Sequence, residues 1–144
     1  MISKKKKILL LHSSNDLYGA SKIFLQLIDL FLSNGFNVYV VLPEKGKLDD
    51  FLIKKNIKIE YNELGVLRKK YLNLFGLINR LVTNIKAIKF LSNYIKTNSI
   101  DLVYTNTSTI LCGGIAAKKM LFLVYSIFMK YQRAINFTNF LVEK

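Results

Sequence analysis

Cysteine, proline and histidine occur once each in this 144-residue chain, as Cys112, Pro43 and His12, and tryptophan does not occur at all. One cysteine excludes an intrachain disulfide framework. His12 and Cys112 alone cannot build a Cys/His metal site, so no metal is expected. Acidic residues are scarce too: 9 Asp and Glu stand against 22 Lys and Arg, a net charge of +13. The longest uncharged run near the end, residues 120–129, has ten residues, half of the roughly 20 that a membrane span needs. Lys4-Lys5-Lys6-Lys7 precedes only four apolar residues, Ile8-Leu9-Leu10-Leu11, against about 7–15 in a secretory leader. With no small-residue cleavage site after them, the expected location is cytoplasmic. Glycine patterns are missing as well. Neither G-x-G-x-x-G nor G-x-x-x-x-G-K-[ST] occurs, which excludes the dinucleotide fingerprint and the P-loop, and no serine sits in a G-x-S-x-G context.

What is present is apolar. A hydrophobic share of 51% is too high for a disordered chain, and the length suits one domain that buries about two thirds of its unfolded surface. Only Arg68, Arg80 and Arg133 are arginines, and asparagines number thirteen, a bias expected of AT-rich coding sequence. Basic charge is spread evenly, with 13 basic and 7 acidic residues in 1–70 and 9 and 2 in 71–144. No basic tail stands apart, and the aromatics fall on apolar stripes, so no nucleic-acid partner is expected. The charge still attracts phosphates and anionic lipid.

Periodicity divides the chain into alternating strands and helices. Residues 8–12 form a continuous apolar run, the pattern of a strand covered on both faces. Ile23, Phe24, Leu27, Ile28, Phe31 and Leu32 then recur at helical steps, and Asn34-Gly35 stops that helix. Residues 38–42 read as a second buried strand closed by Pro43, and residues 47–55 as a short helix. Ile57, Ile59 and Tyr61 alternate with Lys58 and Glu60, predicting a third strand near an edge. Residues 68–96 predict a long helix, with Gly76 as a candidate bend. Its apolar positions include Phe75, Ile78, Leu81, Val82, Ile85, Ile88, Leu91 and Ile95. Residues 101–104 make a fourth strand and 110–119 a further helix. Residues 120–128 fit a fifth strand, and 130–144 show no period. The expected fold class is therefore α/β, a three-layer domain with a mostly parallel sheet, ending in an irregular or helical tail.

Right-handed crossovers gather the strand-to-helix loops at one sheet edge, where open α/β folds bind ligands. The loop from His12 carries Gly19 at a helix start, where backbone amides attract phosphate or carboxylate oxygens; Gly19 equally serves the turn alone. Asn106-Thr107-Ser108-Thr109 can bind sugar hydroxyls or cap the next helix. His12 has no carboxylate placed by sequence to orient it, and Cys112 beside Gly113-Gly114 reads as packing.

Leu17-Tyr18-Gly19-Ala20-Ser21-Lys22, within the strand–loop–helix of residues 8–31, resembles the start of family 4 glycosyltransferases. Asp101-Leu102-Val103-Tyr104-Thr105-Asn106-Thr107, followed by Gly113-Gly114-Ile115-Ala116-Ala117, resembles a second signature of that family in the correct order. The resemblance spans residues 6–119 and implies the N-terminal half of a GT-B enzyme, in which two Rossmann-like domains face a cleft. It implies an acceptor-side domain at 1–119, with Tyr18, Gly19, Ala20, Ser21, Asn106 and Thr107 lining the substrate cleft. It assigns no catalytic residue. The implied activity is retaining transfer of a hexose from a nucleotide-sugar to a saccharide or lipid-linked acceptor in bacterial surface-polysaccharide synthesis. The nucleotide-sugar is a substrate; no cofactor is implied. The rival reading is a non-catalytic basic domain that binds a membrane surface or another partner.

The chain departs from this family in having one glycine in the first loop and no second, nucleotide-sugar-binding domain, so it reads as truncated. Residues 120–144 read as an atypical, frameshifted tail. Read from the third base of the Phe128 codon, Phe128-Met129-Lys130 becomes His or Tyr followed by Glu. The codons of residues 120–123, shifted alike, can read Val-Ile-Pro. Both match family features absent as translated.

Overall fold

The computed structural model describes residues 5–66, 74–106, 110–119 and 123–126. The elements alternate as expected: β1 (Lys7–Leu11), α1 (Gly19–Ser33), β2 (Asn37–Leu42), α2 (Asp49–Lys54), β3 (Lys58–Tyr61), α3 (Leu74–Asn98), β4 (Leu102–Thr105), α4 (Leu111–Lys119) and β5 (Leu123–Ser126). The strands form one sheet in the order β3-β2-β1-β4-β5, and every pairing is parallel. β1 is central, with Leu11 opposite Val41 of β2 on one side and Thr105 of β4 on the other.

An apolar run can occupy that position because successive side chains point to opposite faces. Ile8 and Leu10 pack with Phe24, Ile28 and Phe31 of α1 and Leu52 of α2. Leu9 and Leu11 pack with Ala87, Leu91 and Ile95 of α3 and Ala116 and Ala117 of α4. The result is three layers, helices on both faces of a parallel sheet, and β3 lies at an edge as its alternation predicts.

Helix ends follow local chemistry. α1 closes through Gly35, at φ +78°, with Phe36 N–H donating to Phe31 O (3.0 Å) and Gly35 N–H to Leu32 O (3.0 Å). This paired arrangement places glycine where a side chain would be strained. α3 ends in the same way, with Ile100 N–H on Ile95 O (3.0 Å), but its left-handed residue is Ser99, at φ 53°.

Two expectations change. Gly76 does not break α3, whose helix runs through it. Of the apolar positions read along that helix, Leu91 and Ile95 are buried, whereas Phe75, Ile78, Leu81, Val82 and Ile85 are exposed. Within the stretch 120–128 that fits a fifth strand, Leu123–Ser126 are β5, which completes the ladder along the free edge of β4. Residues 68–73, 107–109, 120–122 and 127–144 lie outside the described residues, and with them Thr107 and the reading of the remaining tail.

Candidate functional site

The sheet order reverses between β1 and β4. In open parallel sheets the crevice at such a reversal, beyond the strands' C-terminal ends, is where ligands sit. The two loops singled out in the sequence leave the sheet at this point, one after Leu11 and one after Thr105.

A buried polar chain ties them together. His12 has no exposed surface, and its ring stacks on Phe24 with centroids 4.6 Å apart. Its Nε2 lies 3.0 Å from Ser21 Oγ, its Nδ1 lies 2.9 Å from Asn106 Nδ2, and Ser21 Oγ donates to Asp16 Oδ1 at 2.9 Å. The direction of the chain follows from its acidic end. An ionised carboxylate only accepts, so the single Ser21 proton points to Asp16. Ser21 Oγ then accepts from His12 Nε2–H, leaving Nδ1 to accept from the Asn106 amide. The same amide also reaches Ala20 O at 3.4 Å. Residues 94 apart in sequence thus fix one tautomer of one ring.

The electrostatics agree. Burial lowers the His12 pKa to about 4, against an opposing pull from the Asp16 charge, so the ring is neutral near pH 7. Desolvation pushes the Asp16 carboxyl up, but hydrogen bonds from Tyr18 N–H, Ser21 and Ser14 together with His12 bring it below its ordinary value. With no exposed surface and both nitrogens engaged, His12 holds the loop; it is not presented as a base to a substrate. Nor is Cys112 a nucleophile: its thiol donates to Leu64 O at 3.2 Å, and burial pushes its pKa up to about 12.

Asn15 joins a third loop to the site. Its side chain donates to Glu44 O (2.8 Å) and Asp49 Oδ1 (2.6 Å) and accepts from Leu48 N–H (2.7 Å). The segment after β1 is thereby clamped to the segment after β2.

Of the residues the resemblance places in the cleft, Tyr18 is 78% exposed, Gly19 is exposed and Ala20 half-buried. Ser21 and Asn106 are buried in the polar chain. A Cβ added at Gly19 would meet nothing within 4 Å, and its φ is not in the left-handed region. The turn therefore does not demand glycine, and open space lies before the start of α1. The first turn of α1 holds no acidic residue and an exposed Lys22, and the Asp16 carboxylate accepts from Tyr18 N–H (3.1 Å) and Ser21 Oγ (2.9 Å) at that helix start. Gly113 is required by packing instead: a Cβ there would overlap Leu11 Cδ1 and stand 2.9 Å from Thr105 Oγ1. Among the described residues no group of His, Cys, Asp and Glu could hold a metal ion.

No protein-family model matches the chain, and no curated protein matches it significantly. Solved structures do. MurG of Acinetobacter baumannii aligns with 95% of the chain at TM-score 0.66 and 17% identity, over 39% of its own length. A glycosyltransferase from Rickettsia africae aligns with 94% at TM-score 0.63 and 17% identity, over 33% of its length. Anabaena HepE, solved in complex with UDP and glucose, aligns with 84% at TM-score 0.56 and 19% identity, over 29% of its length. The chain therefore spans between 29% and 39% of these three proteins. At such identities the likeness establishes the fold alone, an α/β Rossmann-like arrangement.

Proposed function

We propose that this chain is the acceptor-side, N-terminal domain of a retaining glycosyltransferase of the GT-B type. In this reading the whole enzyme moves a hexose from a nucleotide-sugar to a saccharide or lipid-linked acceptor in bacterial surface-polysaccharide synthesis, at the cytoplasmic face of a membrane. The observation that carries the reading is the open helix start at Gly19 beside the β1/β4 crevice, on a fold shared with a protein solved with UDP and glucose. In this reading the first turn of α1, with Lys22, is on the side of the donor phosphates, and Tyr18, Gly19 and Ala20 belong to the cleft lining. Ser21 and Asn106 act from behind by holding the loop.

Neither His12 nor Cys112 is free to act as base or nucleophile. In this proposal the donor is held by a second domain outside residues 1–126. Losing one wall of a closed cleft forfeits up to about 7–11 kcal/mol of positioning. The isolated chain is expected to transfer no sugar and to bind UDP-glucose no better than millimolar in a calorimetric titration; micromolar binding would overturn that expectation. Sequencing the locus tests the rest. The downstream frame should encode a nucleotide-sugar domain, and an unrelated or stop-riddled region would sink the proposal.

A further inference from the structure

We propose that His12 and Asn106 form an acid-operated latch: a proton taken up at His12 Nδ1 turns the Asn106 amide over and frees the first turn of α1 from the end of β4. The latch is a property of the fold at the crevice and does not rest on the sugar-transfer reading.

In the closed latch each donor has an acceptor. His12 Nε2–H donates to Ser21 Oγ (3.0 Å). The Asn106 amide donates to His12 Nδ1 (2.9 Å) and reaches Ala20 O (3.4 Å). Because Nε2 already carries its hydrogen, a proton from solvent has one place to bond, the Nδ1 lone pair. The new N–H then points at the Asn106 NH2, donor against donor, around a ring with no exposed surface. Rotating the Asn106 amide relieves the clash by putting Oδ1 where Nδ2 was. Oδ1 accepts from Nδ1–H, but it now faces Ala20 O, and two acceptors repel. The ring keeps its hold on β4, and the start of α1 loses its own.

Only one side of the latch can give. The His12 backbone is tied to β2 through its N–H on Val41 O (3.3 Å), and the Asn106 backbone to β1 through its N–H on Leu11 O (2.9 Å). The start of α1 has open space before it at Gly19. Charges around the ring set the direction of the response. Asp16, reached through Ser21, favours the proton, and burial opposes it more strongly. On the same face of β4, Tyr104 stays neutral, its pKa pushed up to about 12 by burial. α1 presents Phe24 and Ser21 to the ring and β2 the Val41 carbonyl, none of them charged, and Lys22 is turned out to solvent. The latch is closed near neutral pH and opens in acid.

His12 is the one histidine of the sequence, so NMR of the isotope-labelled full chain reads its ring directly. In a titration from neutral pH down through the ring's midpoint, the resting ring is expected as the Nε2–H tautomer, with a midpoint below the ordinary value of about 6.5. The backbone amides of Ala20, Ser21 and Lys22 and the side-chain amide of Asn106 should move with that midpoint, while those of Leu9 and Val40 in the sheet stay put. Asn106→Asp gives Nδ1–H a permanent acceptor. It should raise the midpoint by more than about one pH unit, a tenfold gain in proton affinity, and give the start of α1 at neutral pH the shifts the parent shows only in acid. Three results would overturn the proposal: a resting Nδ1–H tautomer, first-turn amides that stay flat through the ring's midpoint, or a sheet that unfolds before or together with it. The last would make the proton a trigger of unfolding and not of a local release.

Discussion

Helices α1 and α3 cover opposite faces of one sheet with very different outcomes. On the stripe of α1, Phe24, Ile28 and Phe31 are fully buried, Leu27 and Leu32 are half-buried and Ile23 is exposed, and the loop before it is bonded to α1 and to the residue after β4. On α3 the fully buried apolar side chains among the described residues, Ala87, Leu91 and Ile95, lie toward its C-terminal end, and the first half, where Thr83 is buried, turns five large apolar side chains outward. The apolar stripe is well segregated on α1 and only weakly so on α3, so periodicity places the first helix on the sheet more fully than the second.

The largest expected effect separates the two helices directly. Phe24→Ala removes a buried ring that supports His12 and should cost about 3–5 kcal/mol in urea unfolding. Phe75→Ala, the same change on the exposed face, should stay within about 0.5 kcal/mol of the parent. Comparable losses at both sites would mean that the outward face of α3 is covered within the chain, erasing the contrast.

Acid should weaken the α1 side through His12. The unfolded chain takes up a proton near the ordinary histidine pKa of 6.5, whereas the folded chain refuses it until about 4. Stability is therefore fully present above pH 6.5 and declines as pH falls toward 4, by about 3 kcal/mol in all. Below that, the lowered Asp16 carboxyl adds its own loss in the same direction. Unfolding titrations at pH 7, 5.5 and 4.5 would show the decline, and His12→Gln should flatten it within this window. A curve that is flat between pH 7 and 5 in the parent would deny the neutral, buried ring.

The smallest effect compares the two helix ends. α1 closes on Gly35 and α3 on Ser99 in the same left-handed conformation. Ser99→Gly should therefore stabilise the chain, by under about 1 kcal/mol, and Gly35→Ser should do the reverse. Matched thermal melts would measure both.

Much of this architecture was legible beforehand, for identifiable reasons. β1 and β2 announce themselves because a strand buried on both faces must be apolar throughout, and Ile57, Ile59 and Tyr61 mark an edge strand because one face is wet. Gly19 and Asn106 could be placed at one edge because parallel crossovers leave no other arrangement. The chain from Asp16 through Ser21 and His12 to Asn106 was not legible. His12 and Asp16 sit on a strand end and a turn whose path no periodicity describes, and Asn106 is 94 residues distant. Asn15, which clamps three backbone and side-chain partners, carried no motif. The exposed half of α3 escaped for another reason: a pattern of apolar residues does not say which of them find a partner.

The sheet order also sets a clock. β1 leaves the ribosome before the other strands of the sheet, and β2 follows soon enough to protect one of its edges. Its other edge belongs to β4, and the Asn106 amide that orients His12 emerges 94 residues after the ring it serves. At synthesis rates of about 5–20 residues per second, the open edge of β1 waits on the order of 5–20 seconds for its neighbour. For that interval the newborn chain carries an apolar strand with an unpaired ladder, the feature through which strands capture one another. Slow codons between residues 62 and 100 would lengthen the wait, and a chaperone that shields nascent chains would find its substrate in the N-terminal third.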